Sequence, residues 1–277
     1  MIGSMQSAHL PADDLDLLVV RLRAAGCVFA EEEAGLLVEA AADPAALESL
    51  VRRREAGEPL EQLVGWVGFC GLRLAVAPGV FVPRQRTALL VHEVAALVGP
   101  GDVVVDLGCG VGAIAAAVRA AVPGVEVYAA DVDPVAVACA RRNLPPERVF
   151  EGDLYDALPD HLRGRVAVVA ANAPYVPSEA IALMAREARD HEHRVALDGG
   201  PDGLDVQRRV VAGAPDWLRA GGHVLVETGR TQLPGTEAAL RAAGFAVTFR
   251  VDDETGGVVA RGSASEGDGL ERASATT

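Results

Sequence analysis

From Pro83 onward, short continuously apolar runs alternate with helix-length stretches, and this alternation constrains the fold more than any other feature of the chain. The runs are 103–107, 125–130, 166–171, 223–228 and 245–250, with a shorter one just ahead of Asp153. Helical stretches are expected near 112–121, 134–142, 178–189, 204–219 and 232–243. Strands that are apolar throughout are buried on both faces, which calls for a mostly parallel sheet covered by crossover helices. The segment 246–261 reads as two strands around Asp252-Asp253-Glu254-Thr255-Gly256-Gly257, a hairpin supplying an antiparallel edge strand.

Ahead of this α/β region the pattern differs. Residues 1–9 read as a loose start, and 15–57 as helical. Leu15, Leu18, Val19 and Leu22 recur at 3–4 spacing, then Leu36, Leu37 and Ala40, then Leu47, Leu50 and Val51. Gly26 reads as a stop, and Asp43-Pro44 as an N-cap followed by proline in the first turn. Residues 65–82 alternate and carry glycines, as a hairpin would. The expected organisation is a small helical domain over 1–64, a hairpin connector over 65–82, a doubly wound α/β domain over 83–261 and a disordered tail over 262–277.

With 25 basic and 39 acidic residues the net charge is −14, which opposes electrostatic capture of nucleic acid. Cys27, Cys70, Cys109 and Cys139 form no C-x-x-C pair, so neither a zinc site nor a disulfide framework is indicated. There is no signal-peptide pattern, and no apolar stretch reaches the ~18 residues of a membrane span. A cytoplasmic protein is expected, with no membrane partner.

The candidate site begins at Val-Val-Val-Asp-Leu-Gly-Cys-Gly-Val-Gly-Ala. Here Asp106, Gly108, Gly110 and Gly112 sit where a strand turns into a helix and the backbone can approach a ligand. The glycines also satisfy the permissive dinucleotide fingerprint, so they do not choose between a nicotinamide cofactor and S-adenosylmethionine. Asp106 favours the latter, because a carboxylate beside the loop repels a pyrophosphate and suits an ammonium and a sulfonium. Asp131, at the end of the second strand, can accept both ribose hydroxyls of either ligand, and Asp153 could meet an adenine amino group. Cys109 reads as a small side chain tolerated in the loop, not a catalytic thiol.

After the run 166–171 comes Asn172-Ala173-Pro174-Tyr175. Alone it is an ordinary turn. Its strand lies beside the first strand of a doubly wound sheet, at the switch point where ligands bind. With the glycine loop and Asp131, these residues resemble a class I S-adenosylmethionine-dependent methyltransferase acting on planar amide or amino nitrogens. Segments 57–84, 196–205 and 221–232 extend the resemblance to the HemK/PrmC family of protein-glutamine N5-methyltransferases. It covers roughly 30–260.

The resemblance implies a cofactor site of Asp106, Gly108, Cys109, Gly110, Val111, Gly112, Asp131, Asp153, Leu154 and Asn172. Its catalytic motif falls on Asn172, Ala173, Pro174 and Tyr175, and Arg84, Asn172 and Tyr175 would touch the acceptor; no metal is implied. The Asn172 oxygen and the Ala173 carbonyl would each accept an amide N–H while Tyr175 packs against the amide plane. Two departures stand out. The family's first motif proline is Ala173, and its Pro-Arg-Pro-Glu-Thr-Glu reads Pro83-Arg84-Gln85-Arg86-Thr87-Ala88 here. The implied substrate is the glutamine of the Gly-Gly-Gln loop in peptide-chain release factors. Competing readings are an adenine-N6-type nucleic-acid methyltransferase, disfavoured by the charge and by 4% aromatic content, and a divergent relative with another protein target or retaining only cofactor binding. Arg52-Arg53-Arg54 reads as a solvated helix face, His191-Glu192-His193 lacks a third ligand for a metal, Trp66 and Trp217 read as packing, and Glu227 either orients the site or caps a strand.

Overall fold

The computed structural model describes residues 12–265. Four helices come first: α1 (Ala12–Ala24), α2 (Ala30–Ala40), α3 (Pro44–Glu55) and α4 (Leu60–Val64). Asp43 accepts from the Ala46 N–H at 2.8 Å with Pro44 in the first turn, the cap that Asp-Pro announces. Leu18, Leu22, Leu37, Val51 and Leu63 close a small core of their own. The arginine run behaves differently from a solvated face. Arg52 is exposed and Arg53 pairs with Glu58, but Arg54 is largely buried, held by Glu33 at 2.6 Å and by Glu187 at 2.5 Å. Its position on α3 lets it tie the helical region to the segment that borders the site.

A two-stranded hairpin follows, β1 (Trp66–Phe69) with β2 (Leu72–Ala75). Strand pairing ends at Ala75. Residues 76–82 run onward as a strap, fastened by Gln62, which donates to the Val80 carbonyl at 3.1 Å and accepts from the Gly79 N–H at 3.3 Å.

Then come α5 (Ala88–Ala95), β3 (Val103–Leu107), α6 (Ala113–Ala121), β4 (Glu126–Asp131), α7 (Pro134–Asn143), β5 (Val149–Glu151) and β6 (Val166–Ala171). They are followed by α8 (Arg186–His191), α9 (Asp205–Gly213), β7 (Leu218–Glu227), α10 (Leu233–Ala242), β8 (Ala246–Val251) and β9 (Val258–Ser263). One seven-stranded sheet has the order β5-β4-β3-β6-β7-β9-β8. The first five of these pair in parallel, while β9 lies antiparallel between β7 and β8. The reversed strand of the hairpin is thus β9, and β8 forms the edge.

The sheet explains the continuous apolar runs. On β3, Val103, Val105 and Leu107 join the core under α9 and α10, while Val104 joins the core under α5, α6 and α7. Each such buried valine or leucine contributes about 1.5–3 kcal/mol relative to exposure, so both faces of the strand are apolar apart from the buried Asp106. The order reverses between β3 and β6, leaving a crevice beyond their carboxyl ends.

Three expected elements differ. Residues 178–189 are not one helix: a 3₁₀ stretch over 178–183 precedes α8. The helix expected to reach 219 ends at Gly213, because Pro215 cannot continue the hydrogen-bond ladder, and β7 already begins at Leu218. Gly262 and Ser263, placed in the tail from sequence, belong to β9, where Ser263 pairs with His223 and Ala246. The loose start over 1–9 and the tail from 266 lie outside the described residues. No helix among the described residues is long and apolar enough to cross a membrane.

Candidate active site

The crevice is a cavity of about 350 Å³. One half is lined by the loop after β3, the end of β4 and the turn after β5. The other half is lined by Asn172–Tyr175 after β6, by Phe81 of the strap with Pro83 and Arg84 beyond it, and by Met184 and Val195. The sequence-predicted residues Gly108, Cys109, Gly110, Val111, Asp131, Asp153, Leu154, Asn172, Ala173, Pro174, Tyr175 and Arg84 all line it.

The glycine loop is held by its neighbour strand. The N–H groups of Gly108 and Cys109 donate to the Ala130 carbonyl at 2.9 and 3.1 Å, and the Gly110 N–H donates to Asp131 Oδ2 at 2.8 Å. The Asp133 N–H donates to the other carboxylate oxygen of Asp131 at 2.9 Å. Gly112 turns the chain into α6 at φ +78°, and a Cβ there would lie 2.7 Å from Leu144 Cδ1. Gly112 therefore serves the packing of α6 against α7; the cavity is lined by its neighbours.

Asp106 departs from its expected place. It is fully buried beneath the loop and does not line the cavity; Oδ2 accepts from the Ala115 N–H of α6 at 3.1 Å, and Oδ1 has no partner. Burial pushes its carboxyl up to about 7, partly offset by the Ala115 hydrogen bond and reinforced by the Asp131 charge. Between the carboxylate's ordinary value of 3.8 and about 7, the folded protein holds a proton that the unfolded chain releases. This stabilisation is fully present below pH ~4 and is lost as pH rises through about 7. Asp106→Asn should therefore flatten the dependence. Between pH 5 and pH 8 the wild type should lose stability relative to the variant by an amount of order 2–4 kcal/mol, visible as a larger drop in Tm. Parallel melting curves for the two would contradict the assignment.

Asp153 lines the cavity, but its carboxylate is engaged by Arg209 at 2.7 Å. Leu154 beside it holds φ +49°, a costly conformation for a branched side chain, and also lines the cavity. Cys109 is buried and burial pushes its thiol well up, so it is no nucleophile at neutral pH.

Around the acceptor half, Asn172 Nδ2 donates to Thr87 Oγ1 at 3.2 Å, leaving Oδ1 to accept. The backbone of the loop is gripped by 197–203. The Val176 N–H donates to the Leu197 carbonyl at 3.1 Å, the Gly199 N–H to the Val176 carbonyl at 2.9 Å, and the Ser178 N–H to the Gly200 carbonyl at 2.9 Å. Gln232 Nε2 donates to the Tyr175 carbonyl at 2.8 Å. The Tyr175 hydroxyl meets Arg86, whose Nε donates to Glu227 Oε1 at 3.1 Å.

Arg84 pairs with the buried Glu192 at 2.7 Å and lies over the Phe81 ring. Glu192 also accepts from the Val82 N–H at 3.2 Å, so it fastens the strap to the segment after α8. Burial pushes the carboxyls of Glu192 and Glu227 upward; Arg84 pulls Glu192 back, and the Thr87 hydroxyl and then Arg86 pull Glu227 back. His191 accepts through its backbone carbonyl from Gln62, and His193 Nδ1 lies 2.5 Å from Asp133. Trp217 is core, stacked on Tyr155. Sequence reasoning named neither Thr87 nor Gln232 as a site residue; both lie in segments that carry the family resemblance, the only signal available for them.

The residues present fit S-adenosylmethionine. The cofactor half is lined by Asp131, Asp133 and Asp153, and its one arginine, Arg209, is neutralised by Asp153. Such a lining repels a pyrophosphate and suits a ligand that carries positive charge and ribose hydroxyls. A doubly wound sheet with this loop, an acid ending the next strand and Asn-x-Pro-Tyr at the switch point defines a class I S-adenosylmethionine-dependent methyltransferase.

The comparisons with known proteins agree. The methyltransferase small domain family model matches residues 71–191. A release factor glutamine methyltransferase of Geobacter sulfurreducens is 36% identical over 216 residues, 76% of this chain and 75% of that protein. One of the same name from Streptomyces coelicolor is 43% identical, over 66% of this chain and 67% of that protein. A 4-amino-L-phenylalanine/4-methylamino-L-phenylalanine methyltransferase of Streptomyces pristinaespiralis is 37% identical, over 70% and 69%. In structure, a methyltransferase from Pyrococcus furiosus shares the fold with a TM-score of 0.54 at 18% identity, over 70% of this chain and 90% of that one. The chain belongs to the family of release factor glutamine methyltransferases.

Proposed function

We propose that this protein methylates the side-chain amide nitrogen of a glutamine in a protein, the Gly-Gly-Gln glutamine of a peptide-chain release factor. The observation that carries the reading is the acceptor half of the cavity. Asn172, Ala173 and Tyr175 are set at the switch point, with Asn172 Nδ2 engaged by Thr87 so that its Oδ1 faces the chemistry as an acceptor. Bound S-adenosylmethionine supplies an electrophilic methyl group. In this reading Asp131 holds the ribose and the loop Gly108–Val111 lies against the cofactor.

An amide nitrogen is a poor nucleophile because its lone pair is delocalised into the carbonyl. The Asn172 oxygen and the Ala173 carbonyl each accept one of its N–H groups. They orient the nitrogen and stabilise the positive charge that develops there as the N–C bond forms. Tyr175 stacks against the amide plane. The departing proton needs no strong base, because the N-protonated, N-methylated amide is a strong acid and can give its proton to water. Arg84 and Arg86 are each paired with a buried glutamate, so the mouth adds no net cation to repel that charge. The helical region of 12–64, tied to α8 through Arg54, is suited to hold the protein partner away from the cavity. Four free thiols fit a reducing, cytoplasmic setting.

The test is mass spectrometry of release factors after incubation with the protein and S-adenosylmethionine. One added methyl on the Gly-Gly-Gln glutamine is expected. Methylation instead of a free arylamine, a planar nitrogen acceptor like that of the Streptomyces pristinaespiralis relative, would overturn the protein-substrate reading while keeping the chemistry.

A further inference from the structure

Two of the departures from the family pattern, Ala173 and Arg86, are far apart in sequence but line the same cavity, and Arg86 reaches the motif that contains Ala173. Alanine at 173 leaves φ of the motif's second residue free, where a proline ring would fix it. The loop must then be held by its surroundings. The Asn172 side chain is anchored on Thr87, and the Tyr175 carbonyl on Gln232. The aromatic end of the motif is anchored on Arg86, which reaches the Tyr175 hydroxyl and lies 5.6 Å from the ring centre. Arg86 is in turn held by Glu227, which is 1% exposed at the end of β7 and so belongs to the rigid sheet. Because that charge is already matched, Arg86 is poorly suited to capture an anionic substrate.

We propose that Arg86 is a positioning residue that replaces the stiffness a second proline would give the motif: a chain from the sheet through Glu227 and Arg86 to the Tyr175 hydroxyl fixes the acceptor loop. Ala173 and Arg86 are therefore energetically coupled. Proline at 173 would cost no backbone hydrogen bond, since none among the described residues uses the Ala173 N–H.

The inference rests on the reading of Asn172–Tyr175 as the acceptor site, but its primary test does not need a substrate. Hydrogen exchange of the Val176 and Ser178 amides, which bond to the Leu197 and Gly200 carbonyls, reports how firmly the loop is held. R86A should speed their exchange about tenfold. Y175F should do the same, and R86A/Y175F no more than either. A173P should restore most of the protection lost in R86A, and R86K should retain part of it. In methyl-transfer assays R86A should lower kcat about 10–100-fold, and that penalty should shrink at least fivefold in the A173P background. Unchanged exchange in R86A, or an R86A penalty equal with and without A173P, would overturn the proposal. If exchange responds as expected but no glutamine is methylated by the wild type, the functional reading fails and the clamp stands.

Discussion

Asn172→Ala is expected to lower kcat for glutamine methylation by about 10²–10³-fold, the usual cost of deleting one preorganised polar group aimed at developing charge. The expectation follows from what remains after the change. The Ala173 carbonyl still accepts one amide N–H, so orientation is halved and not abolished. Thr87 Oγ1 loses its partner at 3.2 Å, which loosens the loop on the side away from Gln232. The glycine loop and Asp131 are untouched, so S-adenosylhomocysteine should still raise the melting temperature of the variant by mass action. Initial rates of methyl incorporation, set beside that thermal shift, separate a chemical defect from a folding one. A variant within threefold of the wild-type rate would show that Asn172 is not the acceptor contact.

Gly203→Ala should have the largest structural effect of any single methyl added near the site. Gly203 holds φ +77°, and a Cβ there would stand 2.3 Å from the Tyr175 carbonyl oxygen and 2.4 Å from Gln232 Nε2. The first of these is backbone and has nowhere to go except by moving the Asn172–Tyr175 loop. Strain and overpacking together should cost about 2–4 kcal/mol, lowering Tm by roughly 5–10 °C. Because a displacement of about 1 Å at reacting groups costs ~10²-fold in rate, kcat should fall by that order. Gly244→Ala provides the comparison. It shares a positive φ of +86° with nothing within 4 Å, so it should lose a little stability and leave kcat alone. Equal kcat losses in the two variants would show that the clash at Tyr175 is not what matters.

Much of the architecture was legible because it depends on local chemistry. Apolar strands such as 103–107 and 166–171 announce burial on both faces, and Asp43-Pro44 announces a helix start; both are present in the structure. The glycine loop, Asp131 and Asn172–Tyr175 were legible for the same reason, since each motif sits at a strand end and the strand ends converge at the switch point. Asp106 was only half legible. Its identity pointed to the cofactor, but its burial beneath the loop, with a bond to Ala115, could not be read from its neighbours. The segment 178–189 misled because its apolar spacing fits a helix, whereas Met184 and Ala185 are extended and divide it into a 3₁₀ stretch and α8.

The sequence by itself determined the parallel sheet and put the glycine loop, Asp131 and Asn172–Tyr175 at strand ends, because period and strand-end residues are properties of consecutive residues. The choice of cofactor rested on Asp106, which lies beneath the loop, and is carried instead by the acids that line the cavity. Tertiary structure alone decided what holds Asn172–Tyr175 in place. Arg86 against Tyr175, Glu227 behind Arg86, Gln232 on the Tyr175 carbonyl and Gly203 beneath it join residues from separate crossovers. No periodicity links such residues. Their meeting depends on how the crossovers pack over the sheet, and a side chain's role there is set by the neighbour it finds.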